Sequence, residues 1–267
     1  IAGLGFTDPG TYVIAVEALG AIPGVDEFDE RKGIERTFLP WFPTGSSVTP
    51  TNITWLWPLA DWPARNANGV LLNGETPKAM SPGGRLDSLV QIGANFPGQV
   101  SWFADPDLLQ AASAMAQGYL VQENGSPVVG DQSVAISKWV TSLRSALDES
   151  AAASGVESQL RVLPYADIDA TATRRTDLAT ELIRAVTQAP IISRAAIGTP
   201  VAGTTYWAPG GRIDEDTAEL LASAGATTVA LSARAVTTSG NAPAIASLST
   251  PAGTITALLI DPKLANL

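Results

Sequence analysis

The stretch "GQVSWFADPDLLQAASAMAQGYL", residues 98–120, holds one complete copy of the pattern that decides the fold. Its first part is a short apolar run with aromatic residues, which predicts a buried strand that ends at Asp105. Asp105 is then the predicted N-cap of a helix, with Pro106 in the first helical position and Asp107 in the first turn. A strand followed directly by a helix is the unit from which parallel β/α folds are built.

The same pattern repeats from about residue 45 to the end of the chain. The predicted strands are residues 53–61, 98–106, 159–167, 199–209, 226–233 and 253–261. The predicted helices are residues 83–96, 105–120, 131–154, 176–189 and 214–225. This alternation predicts right-handed crossovers and a mostly parallel sheet. We therefore predict an α/β fold for residues 45–267, namely a TIM-like β/α barrel that is seven-stranded or incomplete, with an open doubly wound sheet as the alternative.

Residues 1–44 follow a different pattern. The segments "TYVIAVEALG" (11–20) and "GIERTFLPWFP" (33–43) are rich in β-formers and flank a charged turn, which predicts two strands. A lone hairpin is marginal in water, so residues 1–44 are predicted to be a hairpin at the edge of a β-sandwich-like domain, or to dock on the main domain. The segment "PTGSSVTPTN" is a linker by composition. The first residues lack Met and a basic segment, and we interpret the sequence as a piece of a longer chain.

The composition excludes several classes of function. The chain has 267 residues, a net charge of -10, no Cys and no His. Without His there is no Ser-His-Asp catalysis and no His-ligated zinc, and without Cys there is no thiolate chemistry. The acidic charge argues against nucleic acid as a partner. No cofactor is predicted, and a metal would need oxygen ligands. No apolar run approaches the roughly 20 residues of a membrane span.

Acidic and aromatic residues recur where the predicted strands end, and in parallel β/α folds functional residues collect at these ends. The candidate catalytic residues are Asp61, Asp105, Asp167 and Asp169. The candidate substrate-binding residues are Trp57, Trp102, Tyr165, Tyr206, Trp207 and Arg212. Aromatic faces stack on sugar rings while carboxylates and Arg bond hydroxyl groups, so this pattern is typical of a carbohydrate-binding surface.

Structural roles compete with these functional ones. Asp105 and Asp261 each precede a proline, which favours a helix cap over a catalytic role. Asp167 and Asp169 fit either a turn and a cap or a rim that faces a ligand. Arg212 is as consistent with closing a carboxylate network as with binding a substrate.

Six segments occur in a fixed order: "TFLPWFP", "TWLWPLADWP", "GGRLDSL", "WFADPDLLQAASAMAQGY", "LPYADIDA" and "YWAPGGRID". Together they resemble an uncharacterised family of exported actinobacterial proteins, defined as a domain of unknown function. The resemblance implies a membrane-anchored envelope protein with most of its chain outside the membrane and a role in cell-wall biology. It also implies a barrel similar to the seven-stranded glycoside hydrolase/deacetylase barrels. The deacetylases of that superfamily use His ligands, which this chain lacks.

Two hypotheses remain open. The first is a non-catalytic, exported envelope protein whose barrel binds a cell-wall glycan or an envelope protein at the strand-end face. The second is a metal-independent glycoside hydrolase with a carboxylate pair drawn from the four candidate acids. The first predicts acids with structural partners, whereas the second predicts two carboxyls that face each other across an open cleft.

Overall fold

A computed structural model describes residues 5–21, 30–47, 51–237 and 243–265. The chain divides into two compact units, Ile1–Asn52 and Ile53–Leu267. The division falls at the end of the segment that the composition identifies as a linker.

The first unit is an antiparallel hairpin of β1 (Gly10–Gly20) and β2 (Glu30–Trp41), so the two predicted strands are confirmed. Tyr12 of β1 stacks on Phe6, with ring centroids 4.0 Å apart. Within the described part of this unit the sheet has these two strands. Most of the predicted charged turn between them lies outside the described residues.

The second unit alternates strands with helices. Its strands are β3 (Trp55–Leu59), β4 (Val100–Ala104), β5 (Leu120–Glu123), β6 (Ser126–Val129), β7 (Leu160–Val162), β8 (Gly203–Trp207), β9 (Thr228–Ser232), β10 (Ile245–Thr250) and β11 (Gly253–Ile260). Its helices are α1 (Glu75–Met80), α2 (Arg85–Ala94), α3 (Pro106–Met115), α4 (Ser133–Ser154), α5 (Ala170–Arg175), α6 (Ala179–Ile197) and α7 (Glu215–Ser223). Every strand and helix predicted for this part of the chain is present.

A seven-stranded sheet forms the centre of the second unit, with the strand order β10-β11-β9-β8-β7-β4-β3. All neighbouring pairs are parallel except β10 with β11, which are antiparallel. This confirms an α/β fold with a mostly parallel sheet. β3 and β10 are the edge strands, and no pairing joins them among the described residues. The described strands therefore form an open sheet rather than a closed ring.

The core lies between the sheet and its helices, in two clusters. The first cluster joins β3, β4 and β7 to α2, α3 and α4 through residues that include Trp102 and Leu143. The second joins β8, β9 and β11 to α6 and α7 through residues that include Tyr206, Leu182 and Leu221. Because the helices are packed against one face, the strands are fixed in position. They form a rigid support for the loops at their carboxyl ends.

Several short elements are not predicted by the sequence analysis. β5 and β6 form a small antiparallel hairpin, and β10 adds an antiparallel edge to the main sheet. The helices α1 and α5 each have six residues. Elements of four to six residues hold too few periods of a hydrophobic pattern to stand out from loops.

Helix α6 is longer than the sequence predicts. The prediction ends it at Ala189, before Pro190, yet the helix continues to Ile197. Pro190 has no N–H to donate to the carbonyl of Val186, four residues earlier. The hydroxyl of Thr204 on β8 donates a long hydrogen bond of 3.5 Å to that buried carbonyl. Thr204 thus replaces the donor that the proline removes, and the helix tolerates its proline.

We expect Thr204→Val to lower the free energy of unfolding by about 1 kcal/mol, because the Val186 carbonyl loses its donor. The same substitution in a Pro190→Ala background should cost less, since residue 190 then has an N–H for that carbonyl. Urea denaturation of the four proteins measures both costs. Thr187→Val, at an exposed hydroxyl of the same helix, is the control. Equal costs in the two backgrounds would contradict this compensation.

Candidate functional site

Asp105 is the structural centre of the strand-end region. It is fully buried and is the N-cap of α3, as the sequence predicts. One carboxylate oxygen, Oδ1, accepts hydrogen bonds from the backbone N–H groups of Asp107 and Ala166, each at 2.9 Å. The other oxygen, Oδ2, is buried without a hydrogen-bond partner. One carboxylate therefore ties the end of β4 and the first turn of α3 to the loop that follows β7.

That loop is a tight turn at Tyr165–Asp167. Ala166 and Asp167 adopt left-handed conformations, with φ of 58° and 45°. Such angles are unfavourable for residues with a Cβ, so neighbouring contacts must hold them. The bond from Ala166 N–H to Asp105 supplies one such contact, and the bond from Asp167 N–H to the Pro164 carbonyl supplies another at 2.9 Å.

Burial raises the pKa of Asp105 from its ordinary 3.8 to about 7. The negative charges of Asp107 and Asp167 raise the pKa further, whereas the two backbone N–H donors lower it. A carboxyl with this pKa would suit a general acid. Asp105 nevertheless has no exposed surface, so a substrate does not reach it in this structure.

Four polar side chains bond one another close to Asp105 and form what we call the polar cluster: Arg65, Asp107, Gln110 and Tyr165. Arg65 forms an ion pair with Asp107 and donates to Gln110 Oε1 at 3.1 Å. The Tyr165 hydroxyl donates to Asp107 Oδ1 at 2.8 Å and lies 2.9 Å from Gln110 Oε1. Burial and the hydrogen bond to Asp107 raise the pKa of Tyr165 to about 12, so it remains a phenol.

Asp61, at the end of β3, is also paired. It accepts from Arg85 at 3.0 Å and from the Thr76 hydroxyl at 3.1 Å. The next residue, Trp62, is 88% exposed. Trp62, Asp61, Arg65 and Asp107 line a common notch with a volume of about 10 Å³. That volume is about the size of one water molecule. A larger ligand would therefore lie across the rim of the notch.

The other two candidate acids differ from each other. Asp169 caps α5, and its Oδ1 accepts from Ala172 N–H at 3.0 Å. Asp167 is exposed, and although partial desolvation raises its pKa, it remains a surface carboxyl. Asp261 accepts from the backbone N–H of Lys263 at 2.7 Å, so it caps the turn at residues 262–265 rather than the predicted helix, since no helix follows it among the described residues. The structure therefore brings Asp105 and Asp167 together, but turns Asp169 towards a helix.

Three of the aromatic candidates lie in the core or close to it, which corrects their predicted roles in binding. Trp102 is fully buried, and its indole N–H donates to Ser150 Oγ at 3.2 Å. Tyr206 is 1% exposed, and its hydroxyl accepts from Ala170 N–H. Trp57 is half-buried against the core and donates to the Leu89 carbonyl. All three point to the face that the helices cover. Successive side chains of a strand point to opposite faces, so a residue near a strand end can face either the helices or the other side of the sheet.

Trp207 and Arg212 lie apart from the polar cluster. Trp207 is half-buried and packs edge-on against Phe103, with ring centroids 5.6 Å apart. Arg212 is exposed and forms no ion pair among the described residues. The expected carboxylate network forms instead between Asp214 and two other arginines, Arg174 and Arg175.

Sequence reasoning missed Trp62, Arg65 and Gln110 as site residues, and assigned Asp107 to the helix start alone. One available signal was that Trp62 and Arg65 directly follow a strand end. A second was that Asp107 and Gln110 are three residues apart at the start of a helix and therefore share its face. No group of three acidic side chains suited to a metal ion occurs in the described ranges.

Neither a protein-family profile nor a curated protein sequence matches this chain. Among solved structures, the chain is similar to the crystal structure of 4-α-glucanotransferase from Thermococcus litoralis, with 12% sequence identity and a TM-score of 0.47. The similarity covers 80% of this chain, which spans 28% of the length of that enzyme. A similarity at this level does not assign an activity. No helix in the described ranges is long and apolar enough to cross a membrane.

Asp105→Asn should flatten the pH dependence of stability. Because the pKa of Asp105 is raised by folding, the folded state holds its proton more tightly, and stability falls as pH rises from about 4 to about 7. Between pH 5 and pH 8 this group should cost the wild type about 2–3 kcal/mol, a loss that the asparagine variant lacks. Urea denaturation at both pH values measures the difference. Identical pH dependence in the two proteins would show that the carboxyl does not titrate in this range.

Proposed function

We propose that the second unit binds carbohydrate at the carboxyl ends of β3, β4 and β7. The observation that carries this proposal is the indole of Trp62, which is 88% exposed next to fixed polar groups. An exposed aromatic face beside hydrogen-bonding groups is the arrangement that binds a sugar ring, because the ring presents C–H groups on its faces and hydroxyls at its rim.

The polar groups around Trp62 suit hydroxyl recognition. The pairs Arg85–Asp61 and Arg65–Asp107 each hold a carboxylate in one orientation. An oriented carboxylate accepts from a sugar hydroxyl, and the remaining guanidinium N–H groups donate to one. Since these side chains are already ordered by their mutual bonds, a ligand that binds them loses less conformational entropy than it would at flexible side chains.

Hydrolysis receives less support than binding from the same geometry. A glycosidase needs two carboxyls that flank the scissile bond, with room for the sugar between them. Here Asp105 is enclosed, Asp169 caps a helix and Asp61 is paired with Arg85. Of the four candidate acids, Asp167 alone is exposed without a capping or ion-pairing role among the described residues.

One observation favours hydrolysis as a second candidate. Asp105 combines a pKa of about 7 with an oxygen that has no partner. If the turn at Tyr165–Asp167 opened, Asp105 and Asp167 would share a cleft, with Asp105 as the acid. This candidate needs that movement, whereas carbohydrate binding at Trp62 needs none.

We extend the proposal to the setting of the protein. The sequence resemblance to exported actinobacterial envelope proteins supports a location outside the membrane, where cell-wall glycan or an envelope protein would be the partner. The same resemblance supports the interpretation of the open seven-stranded sheet as an incomplete β/α barrel. Carbohydrate at the Trp62 surface is the partner for which the described residues provide contacts.

Trp62→Ala should weaken the binding of cell-wall glycan fragments at least about fivefold, because loss of a stacked aromatic face costs about 1 kcal/mol or more. The control is Trp55→Ala, which removes another exposed tryptophan, 54% exposed, at the opposite end of β3. Isothermal titration calorimetry of both variants and the wild type gives the dissociation constants.

Equal affinity in all three proteins would remove Trp62 from the binding surface. No measurable affinity of the wild type for any fragment would refute the carbohydrate proposal. Hydrolysis of the fragments by the wild type, lost in Asp105→Asn, would favour the second candidate instead.

A further inference from the structure

The face of the sheet opposite the helices carries an arginine in its middle. The strand register aligns Phe103, Arg161 and Gly203 across β4, β7 and β8, and aligns Thr205 with Thr228 across β8 and β9. Residues paired in this way point to the same face of the sheet. Gly203 and Thr228 are the first residues of their strands. This place therefore lies near the amino ends of the strands, at the other end from the polar cluster.

Arg161 has lost part of its hydration without gaining a counter-ion. It is half-buried, and burial lowers the pKa of its guanidinium. Its Nη1 donates to Thr228 Oγ1 at 3.0 Å. No acidic side chain of the described residues forms an ion pair with it. Charges removed from water are normally paired in proteins, so an unpaired one in a chain of net charge -10 indicates a missing partner.

Three threonines lie next to this arginine, of which Thr227 already donates its hydroxyl to the Thr204 carbonyl at 3.1 Å. Thr228 Oγ1 accepts from Arg161 and lies 3.5 Å from Thr227 Oγ1. Thr205 is fully buried beside Thr228, and its hydroxyl has no hydrogen-bond partner. A Cβ at Gly203 would lie 2.6 Å from Thr227 Oγ1 and 3.7 Å from Arg161 Nη1, so only glycine allows Thr227 to pack this close to the strand. A guanidinium with hydroxyls and without a carboxylate is a donor set that selects anions.

We propose that Arg161 and the adjacent hydroxyl of Thr228 bind an oxyanion, either a carboxylate or a phosphate group, on the face of the sheet opposite the helices. The guanidinium offers donors in a planar fork that matches two oxygens of such a group. An oxyanion supplies the missing counter-charge, and it accepts from the guanidinium N–H groups that do not bond Thr228. A neutral sugar provides the acceptors without the charge, so this site is distinct from the proposed carbohydrate surface.

The test compares thermal unfolding of the chain in sodium phosphate, acetate and chloride at equal ionic strength. We expect phosphate or acetate to raise the Tm of the wild type by about 2–4 °C above chloride. Arg161→Gln should lose this increment. Arg184→Gln, at an exposed arginine of α6, should keep it. The anion that gives the larger rise in Tm over chloride, phosphate or acetate, identifies the preferred group as phosphate or carboxylate.

In chloride, Arg161→Gln should unfold at or above the Tm of the wild type, because it removes a desolvated, unpaired cation. A rise in Tm that persists in Arg161→Gln is the general stabilisation of folded proteins by the anion rather than binding at this site. Equal increments in the wild type and Arg161→Gln, or no increment in the wild type with either anion, would overturn the proposal. If Arg161→Gln does not fold, the Arg161 Nε–Hε NMR signal of the wild type decides: a shift with phosphate or acetate but not with chloride supports the site, and no shift refutes it.

Discussion

The strand-end region depends on one carboxylate that accepts two backbone N–H groups. Asp105 joins the end of β4, the first turn of α3 and the turn after β7, and no other side chain of the described residues bonds all three. The same burial that makes this link strong leaves Oδ2 without a partner and raises the pKa of the group. Burial of this carboxyl is electrostatically unfavourable, but its two hydrogen bonds fix the geometry at the strand ends.

This constraint separates the acidic residues by role. Asp105 and Asp169 bond backbone N–H groups, and Asp61 and Asp107 hold arginines, so most of the acids at the strand ends maintain the shape of the surface. The proposed contact with carbohydrate then falls to groups that have no such structural partner. Trp62 is the largest of these, since its indole stands in water beside ordered polar groups that have no need to move.

The sequence predicts what depends on local pattern. The alternation of strands and helices, and the cap at Asp105, follow from periodicity and from a proline at the next position. The alternation of side chains along a strand does not reveal which face the helices cover. The sequence therefore predicts a binding role for Trp102 and Tyr206, although both lie in the core. The pair of Arg65 and Asp107 spans 42 residues, and only the tertiary fold brings such groups together. Pro190 predicts a helix end, yet the helix continues, and the Thr204 hydroxyl on β8 bonds the carbonyl that the proline leaves without a donor.

The position of β3 at the edge of the sheet has a consequence for self-association. The N–H of Trp55 bonds the neighbouring chain segment at Gln99, so by alternation the amides of residues 56 and 58 face the open side. Residue 58 is Pro58, which has no N–H. A strand that approached this edge would find half of the expected donors missing. The proline therefore protects an exposed margin of the sheet against pairing with another copy, so the edge can remain open in solution without acting as a template for aggregation.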